Sequence, residues 1–338
     1  MKKPVIAVSL VSVAALALAG CSSAGSVGGA SPDDGRIAVV ASTNVYGDLA
    51  AAVGGDHVDV TSIIRSATQD PHSYEASARD RLTVEGADLV IENGGGYDAF
   101  IDDLLDGSDV PVLTAVEFSH DYPSNAGHDE AEHSDHAGAE DDHAEHDHGD
   151  EHGEEGHEGH DHIEGFNEHV WFDPHTMRHL VEDIAAHLTE LDPEGKADFE
   201  AGAASLTAEL EDAETQLADL KEKAAGANVI LTEPVPGYLA AAAGLTDVTP
   251  DGFAEAVEEG RDVPPATLLA ALQAIEGGGV RAVLTNAQTG GPETQRVEDA
   301  ATEADVPVVA FTEILPEGKT YAEWMHDAIA SLATALGA

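Results

Sequence analysis

The chain has 338 residues, 66 of them acidic and 14 basic, for a formal net charge of −52. Such a surface repels nucleic acid and anionic lipid and draws cations, which excludes a polyanion-binding protein. The length suits two domains of ordinary size, and a single cysteine, Cys21, has no partner for an internal disulfide.

Lys2 and Lys3 precede an apolar run, Val5–Ala19, of fifteen residues. A spanning helix needs about 20, so the run reads as the core of a signal peptide covering 1–20. It closes on Leu18-Ala19-Gly20-Cys21, which resembles a bacterial lipobox. That resemblance implies cleavage before Cys21 and lipid on its thiol, and two acyl chains suffice for anchoring. Residues 21–35, rich in Ser, Gly, Pro and Asp, read as a flexible tether. The expected location is extracytoplasmic and lipid-anchored, in a periplasmic space or on the outer face of the cytoplasmic membrane.

From Arg36 the pattern is α/β, predicting a first lobe over 36–192. Strands are predicted at Ile37–Ala41, Val58–Ile64, Asp88–Glu92 and Val110–Thr114, with helical segments through Tyr46, Leu49 and Val53 and over Tyr97–Leu105. Short apolar runs alternating with helices argue for a parallel sheet covered on both faces.

An insertion over 119–165 interrupts this lobe. It carries eleven of the eighteen histidines and, between His120 and His162, no lysine or arginine. These are His120, His128, His133, His136, His143, His146, His148, His152, His157, His160 and His162. Imidazole is the commonest side-chain ligand for borderline divalent metals, and nearby carboxylates offset the ion's charge. With almost no large aliphatic residues the segment cannot offset its ordering entropy, so it reads as a disordered, metal-attracting loop. The alternative is an acidic solubilising spacer.

A helix is predicted over His175–Leu191. Phe199, Ala203, Leu206, Leu210, Ala213, Leu217, Leu220 and Ala224 then recur at alternating spacings of four and three. That is one apolar stripe on a helix of about 39 Å, ended by Gly226. Being alanine-rich and followed at once by strands, it reads as a helix lying along the body, within 193–226, rather than a coiled-coil arm. A second lobe over 227–338 has strands at Asn228–Thr232, Val280–Thr285 and Pro307–Thr312 and a closing amphipathic helix, Tyr321–Leu336.

In open parallel sheets ligands bind beyond the carboxyl ends of the strands. His72 follows the second strand, His169 follows the histidine-rich insertion, and Glu233 and Glu313 each end a strand of the second lobe. Two imidazoles and two carboxylates make a charge-balanced shell for a divalent ion. Singly, each also reads as an ordinary loop or surface residue.

Asp70-Pro-His-Ser-Tyr-Glu75, the acidic histidine-rich insertion, Asn167-Glu-His-Val-Trp171 and Glu233-x4-Tyr238 together resemble the zinc/manganese solute-binding lipoproteins of bacterial ABC importers (cluster A-I, zinc-uptake type). The resemblance runs from Ile37 to the C-terminus. It implies two α/β lobes joined by one long rigid helix, with the metal in the cleft between them. It maps the family's ligands onto His72, His169, Glu233 and Glu313, the last replacing an aspartate; Asn286 is a further candidate for that space. It also implies an ABC permease and its ATPase as separate partner chains, a membrane reached through the lipid anchor, a monomer, and capture rather than catalysis.

Two carboxylates suit Mn2+, whereas the histidine-rich insertion is a feature of zinc members, and zinc outranks manganese in intrinsic affinity. Zn2+ is the expected cargo and Mn2+ the alternative. Ligand imidazoles must be unprotonated, so affinity is expected to fall below about pH 6. A metal buffer or chaperone shares the same site and differs only in needing no permease. A metallohydrolase is disfavoured: the chain has no His-Glu-x-x-His helix or Gly-x-Ser-x-Gly turn, and four protein ligands would close the coordination shell.

Overall fold

The computed structural model describes residues 35–125, 163 and 165–338. The signal run, Cys21, almost all of the tether and ten loop histidines (His128, His133, His136, His143, His146, His148, His152, His157, His160 and His162) lie outside the described residues. No helix among those described is long and apolar enough to cross a membrane.

The first lobe runs β1 (Ile37–Thr43), α1 (Asn44–Gly54), β2 (Val58–Ile64), α2 (Ala78–Val84), β3 (Leu89–Glu92), α3 (Phe100–Leu105) and β4 (Val112–Thr114). Its sheet has the order β2-β1-β3-β4, all parallel. Two long helices follow, α4 (Pro174–Leu191) and α5 (Lys196–Ala224). The second lobe runs β5 (Asn228–Leu231), α6 (Gly237–Ala242), β6 (Thr246–Asp247), α7 (Phe253–Glu258), α8 (Pro265–Glu276), β7 (Val280–Asn286), α9 (Pro292–Glu303), β8 (Val308–Phe311) and α10 (Tyr321–Leu336). Its parallel sheet, β6-β5-β7-β8, repeats the first order. In each lobe the chain steps to one side of its first strand and then to the other. That reversal opens a crevice at the strands' carboxyl ends, where open sheets bind ligands.

Central strands are buried along nearly their whole length, as parallel strands covered on both faces must be. Alternate residues of the first sheet serve different layers. Val39 and Ile91 join a central cluster with Leu49, Leu180, Leu210 and Leu332, and the second lobe supplies Leu231 and Leu284 to the same cluster. Val40 and Val90 turn the other way, onto Phe100 and Ile101 of α3, with Ile314 of the second lobe packed among them. Ile230 and Val283 pack outward on Phe253, Leu268 and Val297. The lobes therefore share one core.

The apolar stripe of α5 is buried from Phe199 to Leu220. The helix packs on α1, α4, α6 and α10, so the predicted placement along the body holds. Small differences from expectation are local. Helix α3 starts at Phe100 rather than Tyr97, because Asp98 accepts from the Asn93 and Gly94 amides (2.7 and 2.8 Å) and folds this stretch into a turn. Tyr97 is left beneath the cleft.

Candidate metal centre

His72 is presented by a capped turn. Asp70 ends an extended segment, and its Oδ1 accepts from the His72 amide (3.0 Å) while Oδ2 accepts from Ser73 Oγ (2.7 Å). Proline at the first position of the Pro71–Ser73 3-10 turn lacks the N–H that a helical start leaves unpaired. The Tyr97 ring meets the His72 imidazole edge-on at 4.9 Å between centroids.

His169 is oriented by Asn167, whose Oδ1 lies 3.1 Å from the His169 amide nitrogen and 2.7 Å from its Nδ1. An amide oxygen only accepts, so Nδ1 carries a proton, and with the ring neutral the Nε2 lone pair faces the cleft. This is the tautomer that a metal-binding imidazole needs. The second lobe grips the same segment: Asn167 Nδ2 donates to the Pro234 carbonyl (3.0 Å), and the Tyr238 hydroxyl donates to the Asn167 carbonyl (2.7 Å). Gly237 permits this approach, since a Cβ there would stand 2.7 Å from Asn167 Nδ2.

On the opposite wall Asn286 ends β7 and bridges two acids. Its amide nitrogen donates to Glu233 Oε2 (2.8 Å) and Glu313 Oε1 (2.5 Å). Thr289 Oγ1 lies 2.6 Å from both Glu233 oxygens. Gln288 Oε1 accepts from the Glu313 and Ile314 amides (2.7 and 2.8 Å), fixing the chain just past β8. Glu313 Oε2 is buried and receives no hydrogen bond.

The two walls meet. His72 Nε2 is 3.9 Å from Glu313 Oε2, and donor atoms of His72, His169 and Glu313 lie within 4.8 Å of one another. A second set within the same limit is His72, Glu168 and Glu258, and Glu258 Oε1 stands 3.3 Å from His169 Nε2. Of the four residues singled out by sequence, three come together and Glu233 belongs to neither set. Asn286 turns its amide nitrogen to the acids, so it acts there as a donor. His120 is exposed beside Asp121 and Asp173, outside the cluster. Glu258 and Glu168 escaped the sequence reading: Glu258 ends a six-residue helix in a stretch with no motif, and Glu168 is overshadowed by its histidine neighbour. Asn167 lies two residues before His169 inside the Asn167-Glu-His-Val-Trp171 motif, and that spacing is its sequence signal.

Burial dominates the electrostatics. It pushes the Glu313 carboxyl up to about 7 against the lowering effect of the Asn286 hydrogen bond. Burial, reinforced by Glu168, Glu233 and Glu313, pushes Glu258 up to about 9. Glu233 is raised for the same reason, opposed by Thr289 and Asn286. Three acids are thus gathered in a low-dielectric cleft, and among the described residues none pairs with lysine or arginine. Protons or a cation must balance them, and two imidazoles close by favour a borderline divalent ion.

A family model described as "Zinc-uptake complex component A periplasmic" matches residues 39–335. The zinc-binding lipoprotein AdcA of Streptococcus pneumoniae is 28% identical over 272 residues, covering 80% of this chain and 48% of that protein. The manganese-binding lipoprotein MntA of Halalkalibacterium halodurans is 26% identical over 211 residues, covering 62% of this chain and 57% of its own. The chain thus spans about half the length of these curated relatives. Among solved structures, the periplasmic zinc-binding protein TroA of Treponema pallidum superposes with a TM-score of 0.64 at 18% identity, over 89% of this chain and 99% of that one. At that identity the likeness is one of fold. A family match across both lobes and the helix between them makes the chain a member of the zinc-uptake complex component A family of metal-binding solute-binding proteins.

Proposed function

We propose that this protein captures Zn2+ outside the cytoplasm and delivers it to an ABC permease and its ATPase, which are separate chains. The observation that carries the reading is the convergence of His72, His169 and Glu313 from both lobes within 4.8 Å, in a cleft that also gathers Glu168 and Glu258. Imidazole Nε2 and carboxylate oxygens are zinc donors, and a shell closed by protein groups holds an ion without exposing it to catalysis. Lipid on Cys21 would keep the receptor beside its permease. The zinc names of the relatives support the choice of metal, and the histidine content of the His120–His162 segment supports it as a weaker collector.

The manganese name of another relative, together with the carboxylates of the cleft, favours Mn2+ as the second reading. Zinc titration against a fluorescent chelator, repeated in excess Mn2+, separates the two. One tight site that holds zinc through the manganese challenge is the expected result; displacement of zinc by manganese would transfer the assignment.

A further inference from the structure

Asn93 follows β3 and is fully buried, with every polar group engaged. Its amide donates to Asp98 Oδ2 (2.7 Å), and its backbone carbonyl accepts from the Val116 amide (3.0 Å). The side-chain nitrogen lies 2.9 Å from two carbonyl oxygens, those of Gly94 and Glu168. A carbonyl oxygen only accepts, so this end of the side chain is the NH2 and both of its protons are used. Oδ1 therefore faces the hydroxyl of Tyr46, a fully buried residue of α1, and accepts its proton.

The bond to Glu168 is the one that concerns the metal. It joins residues 75 positions apart and ends on the residue before His169. The same Glu168 oxygen accepts from the Val170 amide (2.7 Å), so the turn that carries His169 closes on the atom that Asn93 holds. The second lobe holds the preceding residue, through the Tyr238 hydroxyl on the Asn167 carbonyl. Gly95 lets Glu168 lie close: its φ is 70°, and a Cβ there would stand 3.3 Å from Glu168 Cβ. The same stretch presents Tyr97, whose ring meets the imidazoles of His72 and His169 edge-on, at 4.9 and 5.8 Å between centroids. The end of β3 is thus the seat on which both histidines rest.

On the zinc-receptor reading above, we infer that Asn93 is a positioning residue for the metal site. It fixes the Glu168–Val170 turn to the end of β3 and so sets the His169 imidazole against that of His72 before an ion arrives. Tyr46 orients it by occupying Oδ1, which leaves the NH2 for Glu168.

The test uses the full chain, with Zn2+ and Co2+ as probes, and the variants Asn93→Asp and Asn93→Ser. Asn93→Asp keeps the shape of the side chain but turns an acceptor oxygen toward two carbonyls; Asn93→Ser is too short to hold Glu168 and is the milder change. Gly202→Ala, which crowds α5 against the end of α1, serves as the control for lost stability alone. Apo-protein melting curves first establish that each variant is folded. Both Asn93 variants are expected to weaken the tight zinc site by about 10–100-fold, as loss of a supporting partner does at other metal sites. They should also alter the Co2+ visible bands, which report the arrangement of the donors and not the stability of the fold. Gly202→Ala should leave zinc affinity and bands as in wild type. Wild-type affinity and bands in a folded Asn93→Ser, or a loss of affinity that Gly202→Ala reproduces, would overturn the assignment. A wild-type chain without any tight zinc site would overturn the receptor reading itself, a failure visible before any variant is compared.

Discussion

At the residue scale, His169 has its tautomer set before any metal arrives. The Asn167 side chain, itself clamped by the Pro234 carbonyl, takes the Nδ1 proton and leaves Nε2 for the cleft. Asn167→Ala should lower zinc affinity by about 10–100-fold without unfolding the protein, as loss of an orienting partner does at other metal sites; the same chelator competition reads it. Glu92 provides a second prediction, remote from the metal. Burial first, and then Asp98, raise its carboxyl to about 8, while Thr114 Oγ1 donates to it at 2.8 Å. A carboxyl raised in the fold stabilises the native state below its ordinary value, near 4.5, and loses that contribution as the pH rises through about 8. Glu92→Gln should therefore melt close to wild type at pH 5 and be the more stable by a few kcal/mol, about 3–5 at most, at pH 9. Thermal melts at both values check it. His72 and His169 could be singled out because each sits in a quotable motif, and Glu313 because it follows the last strand. Glu258 was not, because its place beside His169 is set by the tertiary fold and its short helix carries no local pattern.

At the scale of elements, regular periodicity was what could be read. Helix α5 carries an unbroken stripe and α10 begins at a capping box, with Thr320 accepting from the Glu323 amide and Glu323 from that of Thr320. Both were predicted, α10 to the residue and α5 within three residues of its start. Helices α6 to α9 were not read, since their two shorter members have six residues each and their segment is broken by Pro and Gly. The edge strand β6 has two residues and no apolar run to announce it. Within α5, Gly202 lies where α1 ends: a Cβ there would stand 2.6 Å from the Val53 carbonyl oxygen and 2.8 Å from that of Ala52. Alanine would gain about 1 kcal/mol of helix propensity over glycine. The backbone clash costs about 1–3 kcal/mol and should win. Gly202→Ala is expected to lower Tm by a few degrees; an unchanged or higher Tm would mean that α1 and α5 separate freely.

For the whole molecule, the shared core and the polar clasps between lobes limit how far the cleft can open. Asn44, at the start of α1, exchanges two hydrogen bonds with Leu315 (2.8 and 3.0 Å), two residues from Glu313. Asp48 accepts from the Tyr321 amide (2.7 Å), and the Tyr321 hydroxyl donates to the Trp171 carbonyl (2.6 Å), two residues from His169. Rigid placement of this kind suits capture at a pre-formed site, where little ordering entropy is lost on binding. The central claim is that tight binding resides in the cleft and not in the histidine-rich segment. The most direct measurement is competitive zinc titration of the protein with and without residues 120–162, each also carrying His72→Ala and His169→Ala. One tight zinc site that survives removal of the segment and disappears with the two histidines is the predicted result. Tight binding that vanishes with the segment and ignores His72 and His169 would contradict the account and leave a metal-buffering protein.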